Sequence, residues 1–204
     1  MLRKLGFFVL VLGLFLSVLL LDVPLFATKG SSPMTHALPT EPDAIVIQWR
    51  TMGGLSIDRS NIADLTIYAD GKSIVGPRFG QGKPVEGEVS TGQIQDLLRF
   101  AIDEQHFFRF DGGAVDDEIN AILQQRQVDS QDTGGIAVPL GPPYIDAGTT
   151  VILIAADGQR HEASCQGLVF AAQDYPEINA LQQLRAIELR LLSVAQELAN
   201  LNRA

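Results

Sequence analysis

Three histidines and one cysteine are the side chains of this chain best suited to proton transfer, nucleophilic attack or metal ligation. His161 and Cys165 form the closest thiol–imidazole spacing. A Cys-His nucleophile needs its two groups within about 3 Å, whereas four residues of extended strand span about 13 Å. The pair therefore reads as one face of a strand, with Cys165 a small buried hydrophobe. His36 falls in a Gly/Ser/Pro-rich stretch and reads as solvated. His106 stands before Phe107 and Phe108 and reads as structural. Asp116-Asp117-Glu118 offers three adjacent carboxylates, but consecutive helical residues diverge around the axis. Acids at a helix start complement the macrodipole without any metal. Asp129, Asp132 and Gly134 miss the ligand spacing of a calcium loop. In Gly76-Pro-Arg-Phe-Gly-Gln-Gly-Lys83, Pro77 stands where a phosphate loop needs its first glycine, and Pro84 follows the lysine where a hydroxyl belongs. The sequence thus assigns no catalytic, cofactor-binding or metal-ligating residue, and no cofactor is expected.

The elements that must position these residues are organised around two Asp-Gly hairpins. Asp64 to Val75 is an apolar strand, the turn Asp70-Gly71 and a more polar return strand. Val151 to Glu162 repeats the plan around Asp157-Gly158. Asp-Gly tolerates the positive φ angles of a two-residue hairpin loop. Leu65, Ile67 and Ala69 alternate with Thr66 and Tyr68, giving the first hairpin one apolar face. Val151 to Ala156 is apolar on both faces, which predicts a central strand. Aligning Asp70 with Asp157 pairs Leu65 with Ile152 and Ile67 with Ile154, the pattern of a duplicated hairpin-helix unit. Ala44 to Arg50 predicts a further strand, with Ile45, Ile47 and Trp49 on one face. Gly167 to Ala172 has room for another short one.

Ser90 and Gln93 have the spacing of a capping box. Ile94, Leu97, Leu98, Ala101 and Ile102 then fall on one helical face. A second helix is predicted from about Ala114 to Gln127, with Val115, Ile119, Ile122 and Leu123 on one side. Asp129 to Gly148 reads as a long irregular loop, a length associated with function or disorder. The last helix is predicted from Pro176, which suits a first helical turn. Ala180, Leu184, Ile187, Leu191, Val194, Leu198 and Leu201 recur at spacings of four and three, a seam of about three heptads. Such a helix is longer than a small sheet can cover, so Leu191, Val194, Leu198 and Leu201 are the expected contact residues for a protein partner or a second copy of the chain.

At the N-terminus, Arg3 and Lys4 precede the uncharged run Leu5 to Leu21, and Ala27 offers a small residue for cleavage. These are the parts of a secretory signal. A retained anchor is the alternative, since about 17 residues is the lower limit for spanning hydrocarbon. Residues 1–27 are therefore expected to be a leader or anchor, 28–43 a flexible tether, and 44–204 one domain outside the cytoplasm. No cysteine follows the apolar run, so lipidation there is excluded, and one cysteine allows no internal disulfide. The formal net charge is -9. An acidic exterior opposes binding to nucleic-acid phosphates, which draw their affinity from Lys and Arg. Contact with a membrane is expected only through the N-terminal segment.

Thr66-Ile-Tyr-Ala-Asp-Gly71, with the stretches Gly87 to Phe108, Asp146 to Ser164 and Pro176 to Leu192, resembles a family of uncharacterised bacterial exported domains. Its members carry a Thr-Ile-Tyr-x-Asp-Gly hairpin between a first strand and a Ser- or Thr-capped helix. The resemblance spans most of residues 44–192 and implies location and fold, not activity. The expected fold is α+β: an antiparallel sheet of four to six strands with helices packed mainly on one face. The expected role is a non-catalytic interaction module of the cell envelope. A small-ligand carrier or sensor, or an enzyme of unrecognised type, are the alternatives.

Overall fold

Six strands form one antiparallel sheet in the order β4-β3-β2-β1-β5-β6. The computed structural model describes residues 35–53, 62–132, 144 and 146–202. Residues 1–27, expected to be a leader or anchor, residues 28–34 of the expected tether, and most of the stretch between Asp132 and Asp146 lie outside the described residues. The strands are β1 (Ile45–Met52), β2 (Leu65–Tyr68), β3 (Lys72–Val75), β4 (Val85–Glu88), β5 (Thr149–Ala156) and β6 (Gln159–Gln166). The helices are α1 (Thr91–Leu98), α2 (Gly112–Asp132), α3 (Leu168–Asp174) and α4 (Asn179–Leu201). This is the α+β class expected from the sequence.

β2 and β1 hold the middle of the sheet, and β5 is an interior strand between β1 and the edge strand β6, so the two-sided apolar run Val151 to Ala156 has a strand on either side. Strand register places Ile47, Trp49, Leu65, Ile67, Val75, Ile152, Ile154 and Ala163 on one face. All are buried. A bulge in β1 between Ile45 and Ile47 sets two residues against one on β2, and buries Val46 together with Ile47. The helices cover this face, so Trp49, Phe107, Leu98, Leu181 and Leu184 share one core.

The two hairpins differ in their turns. Asp157 and Gly158 both adopt positive φ, and Ala156 pairs with Gln159 across them, the two-residue loop expected. In the first hairpin only Gly71 is at positive φ. Tyr68 to Gly71 closes a turn through Gly71 N–H to Tyr68 C=O at 3.0 Å, and the loop is three residues long, a turn followed by a bulge. Val89, the residue after β4, donates its N–H to the Gly71 carbonyl at 2.9 Å. A Cβ on Gly71 would stand 2.6 Å from the Val89 carbonyl oxygen.

Ser90 and Gln93 form the capping box that the sequence predicts. The helix then widens into a π-helical stretch, Arg99–Glu104. α2 starts two residues before the expected Ala114, because Asp111 Oδ1 accepts from Gly113 N–H at 2.9 Å and Ala114 N–H at 3.3 Å. The acidic run Asp116 to Glu118 therefore lies beyond the first turn, exposed. Gly167 to Ala172 is helix α3, not a strand, entered through Gly167 at positive φ. Pro176 lies in the turn before α4, whose N-cap position is Ile178.

The domain begins earlier than expected, at Thr35. His36, expected to be solvated, is only 5% exposed. Its Nδ1 lies 2.7 Å from Asp157 Oδ2. Its backbone N–H donates to Gln95 Oε1 at 2.8 Å, and Gln95 Nε2 donates back to its carbonyl at 2.9 Å. Residues 35–43 belong to the domain and not to a flexible tether.

Candidate functional site

α2 is the least embedded helix. Of its described side chains only Val115 is fully buried, while Ile119, Ile122 and Leu123 pack partly against the core. The Asp111 cap sets the direction in which the helix leaves the sheet edge. Its far end is fastened by Arg126, whose Nη2 donates to the Asp174 carbonyl at 3.1 Å and whose guanidinium lies 5.1 Å from the Tyr175 ring centre. Between these two attachments the helix stands off β6 and leaves a cavity of about 670 Å³. That lies within the range of small-molecule sites, roughly 300–1,000 Å³.

Val115, Ile119 and Leu123 form the α2 wall, and Phe110, Ala171 and Tyr175 form the apolar floor. Polar groups stand around them: Asp116 and Asn120 on α2, Ser164 and Gln166 on β6, and Thr149 on β5. Tyr144 contributes its ring, while its hydroxyl donates to Asp174 Oδ2 at 2.5 Å. Burial and that bond raise the phenol above its ordinary pKa, so Tyr144 stays protonated and structural. Asp116 is the one charged residue among the described lining.

Cys165 on β6 also lines the cavity and is half-buried, not fully buried as expected. Burial, and then the carboxylates of Asp116 and Glu188, push its thiol up to about 11. A thiol in that state is a poor nucleophile at neutral pH, which agrees with its reading as a small hydrophobe. His161 is held away from it. The imidazole packs edge-on against Phe107 at 5.3 Å between ring centres, and its Nε2–H donates to the Phe110 carbonyl at 3.1 Å. That contact fixes the tautomer, and the length of strand between His161 and Cys165, about 13 Å for four residues, keeps the two from forming a dyad. His106 is exposed in a left-handed turn ahead of Phe107.

Among the described residues no group of three His, Cys, Asp or Glu could hold a metal ion. Asp103 and Asp157 flank opposite nitrogens of the His36 ring, at 3.3 and 2.7 Å, so the three do not converge on a point. The Gly76–Lys83 segment is a closed turn. Phe79 and Gly80 N–H groups donate to the Gly76 carbonyl, and Gly82 N–H donates to Pro77. They are unavailable to a phosphate.

The residues expected to meet a partner are divided by the fold. Leu191 and Leu198 are buried in the chain's own core. The C-terminal half of α4 lies over β3 and β4, and Leu198 packs on Gly87, where a Cβ would come within 3.1 Å of it. The sheet is wide enough to cover the helix, which removes the argument that its end must seek another surface. Val194, Leu198 and Leu201 do come together, in a shallow groove of about 130 Å³ beside Leu97 of α1. Leu201 is 68% exposed there. Spacing alone could not reveal the cavity under α2, since none of its lining residues forms a recognisable motif.

No protein-family model, curated protein or solved structure matches this chain at a significant level. Its function is read from its own geometry.

Proposed function

We propose that this chain is a non-catalytic ligand-binding domain held outside the cytoplasm, carrying a small neutral or cationic amphiphile in the cavity under α2. The observation that carries this reading is that cavity: an apolar floor of Phe110, Ala171 and Tyr175 with polar groups at its edge. Such a combination is the usual make-up of a small-molecule site. The ligand class follows from charge. Among the described residues Asp116 lines the cavity and no lysine or arginine does, and the chain as a whole is acidic. An anion would find no counter-charge there. The leader-like residues 1–27 support the location.

The test is a thermal-shift and native mass-spectrometry screen of the chain from residue 28 onward against neutral, cationic and anionic amphiphiles. Hits are then scored by protection of Cys165, the only thiol, from alkylation. Binding of neutral or cationic compounds with Cys165 protection, lost in Ile119→Trp, supports the reading. Preference for anions, or hits that leave Cys165 labelling unchanged, would sink it.

The groove formed by Val194, Leu198 and Leu201 favours a second reading, a protein-interaction module. Leu201→Asp tests it directly. Loss of a partner or dimer from the native envelope fraction would support it, and unchanged association would dismiss it.

A further inference from the structure

α2 crosses the cavity as a strut held at its two ends. Between Gly112 and Arg126 its axis runs about 21 Å. At the near end the strand-side anchor is Phe110, whose carbonyl accepts from His161 Nε2–H at 3.1 Å. One residue separates that anchor from the start of the helix at Gly112. Gly112 and Gly113 bring no side chain to pack there, and Gly112 lies against the Ser164 carbonyl, which a Cβ would meet at 3.7 Å. Val115, the one fully buried residue among the described side chains of α2, sits one turn from this point. At the far end the fastenings are on the surface. Arg126 and Glu177 are each half exposed and 3.5 Å apart, and the guanidinium rests on the Tyr175 ring. Exposed contacts of these two kinds are individually weak. The apolar side chains between the ends, Ile119, Ile122 and Leu123, are only partly buried.

We infer that α2 is a lid on this cavity, pivoting between Asp111 and Gly113 and latched by Arg126, and that release of the latch admits and discharges the ligand. The inference rests on the cavity being a ligand site and adds how that site is entered. Hinges are commonly a few small residues at the end of an element. Asp111 caps the Gly113 and Ala114 N–H groups, so the first turn stays intact while the helix swings as a unit. Val115 is too near the pivot to move far. Ile119 and Leu123, which line the cavity, lift away from its floor. An apolar body bound beneath them touches both only when the helix is down. A ligand shifts an equilibrium by its differential affinity for the two states, so an amphiphile closes the lid that Arg126 alone holds weakly.

Cys165 is the only thiol and lines the cavity, so its labelling reports the lid. The chain from residue 28 onward holds the whole compact unit that begins at Thr35. It is labelled at one pH with two reagents: iodoacetamide, which is small, and fluorescein maleimide, which is bulky and needs the helix lifted. Arg126→Met removes the charge and keeps an apolar chain over Tyr175. It should raise the fluorescein maleimide rate about fivefold, equivalent to about 1 kcal/mol, and the iodoacetamide rate by less than about twofold. Arg126→Lys lacks the planar face that stacks on a ring. It should give a smaller rise in the same order, which keeps the test available if the methionine variant does not fold. An unchanged fluorescein maleimide rate in a folded variant overturns the inference. So does an equal rise for both reagents, the mark of a loosened fold or an altered thiol. Faster bulky labelling in a protein that binds no amphiphile would keep the lid and remove the carrier, and unchanged labelling in one that binds them would do the reverse.

Discussion

His36 Nδ1 lies 2.7 Å from Asp157 Oδ2, joining residues 121 positions apart in the chain. Asp157 Oδ1 also accepts from Ala37 N–H at 2.7 Å, and Asp157 N–H donates to the Ala37 carbonyl at 2.8 Å. The segment at His36 and Ala37 is thereby stitched to the tip of the β5–β6 hairpin. An Asp at that turn serves two purposes: it tolerates positive φ, and it receives the chain's N-terminal segment.

His36→Ala should cost about 1–2 kcal/mol. This is the lower part of the range for hydrogen bonds to charged groups, because Asp157 is 39% exposed. Starting the chain at Leu38 should cost at least as much, since the Ala37 bonds go as well. Urea unfolding of the three proteins measures this. Equal midpoints would mean that the segment is only resting on the hairpin.

The hydrogen bond from His36, ahead of the one from Ala37, holds the Asp157 carboxyl below its usual value. A carboxylate depressed in the folded state stabilises the fold above its unfolded pKa, and that stabilisation is lost as pH falls through the folded value. The advantage of wild type over Asp157→Asn should therefore be constant from neutral pH down to about 4 and shrink below that. Thermal unfolding of both proteins across that interval checks it. An advantage that first vanishes near pH 6 would contradict it.

Gly71 and Gly158 both adopt positive φ, but only Gly71 has backbone in the way. A Cβ at Gly71 would meet the Val89 oxygen at 2.6 Å, and one at Gly158 would meet nothing within 4 Å. Gly158→Ala should cost about 1–2 kcal/mol, the left-handed penalty alone. Gly71→Ala should cost distinctly more, because the Gly71–Val89 bond must also shift. Denaturant midpoints for the pair decide the order.

Leu191→Ala should destabilise by about 2–5 kcal/mol, as buried leucines do. Leu201→Ala should stay within about 0.5 kcal/mol. The four residues that looked equivalent in the heptad pattern thus separate into core and surface, and chemical denaturation of the two variants is sufficient to show it.

Cys165 alkylation by iodoacetamide should be slow at pH 8 and accelerate as pH rises toward about 11, where burial has moved its pKa. Rapid labelling at pH 7 would place the thiol in solvent and not in the cavity wall.

The capping box at Ser90, the Asp157-Gly158 loop, the interior rather than edge placement of Val151 to Ala156 and the α+β class were all legible in the sequence. Each rests on a local rule: a cap needs only its third neighbour, a turn only its own φ angles, and a strand only the alternation of its side chains. Other features were decided by tertiary structure. Gln95 and Asp157 bury His36 from far along the chain. Gly87 makes room for Leu198 over β4, which drew that residue of the predicted contact surface into the core and left Leu201 exposed. The cavity forms where α2 is held off β6. A cavity is a place where side chains from distant elements fail to meet, and no spacing within a single element records that failure.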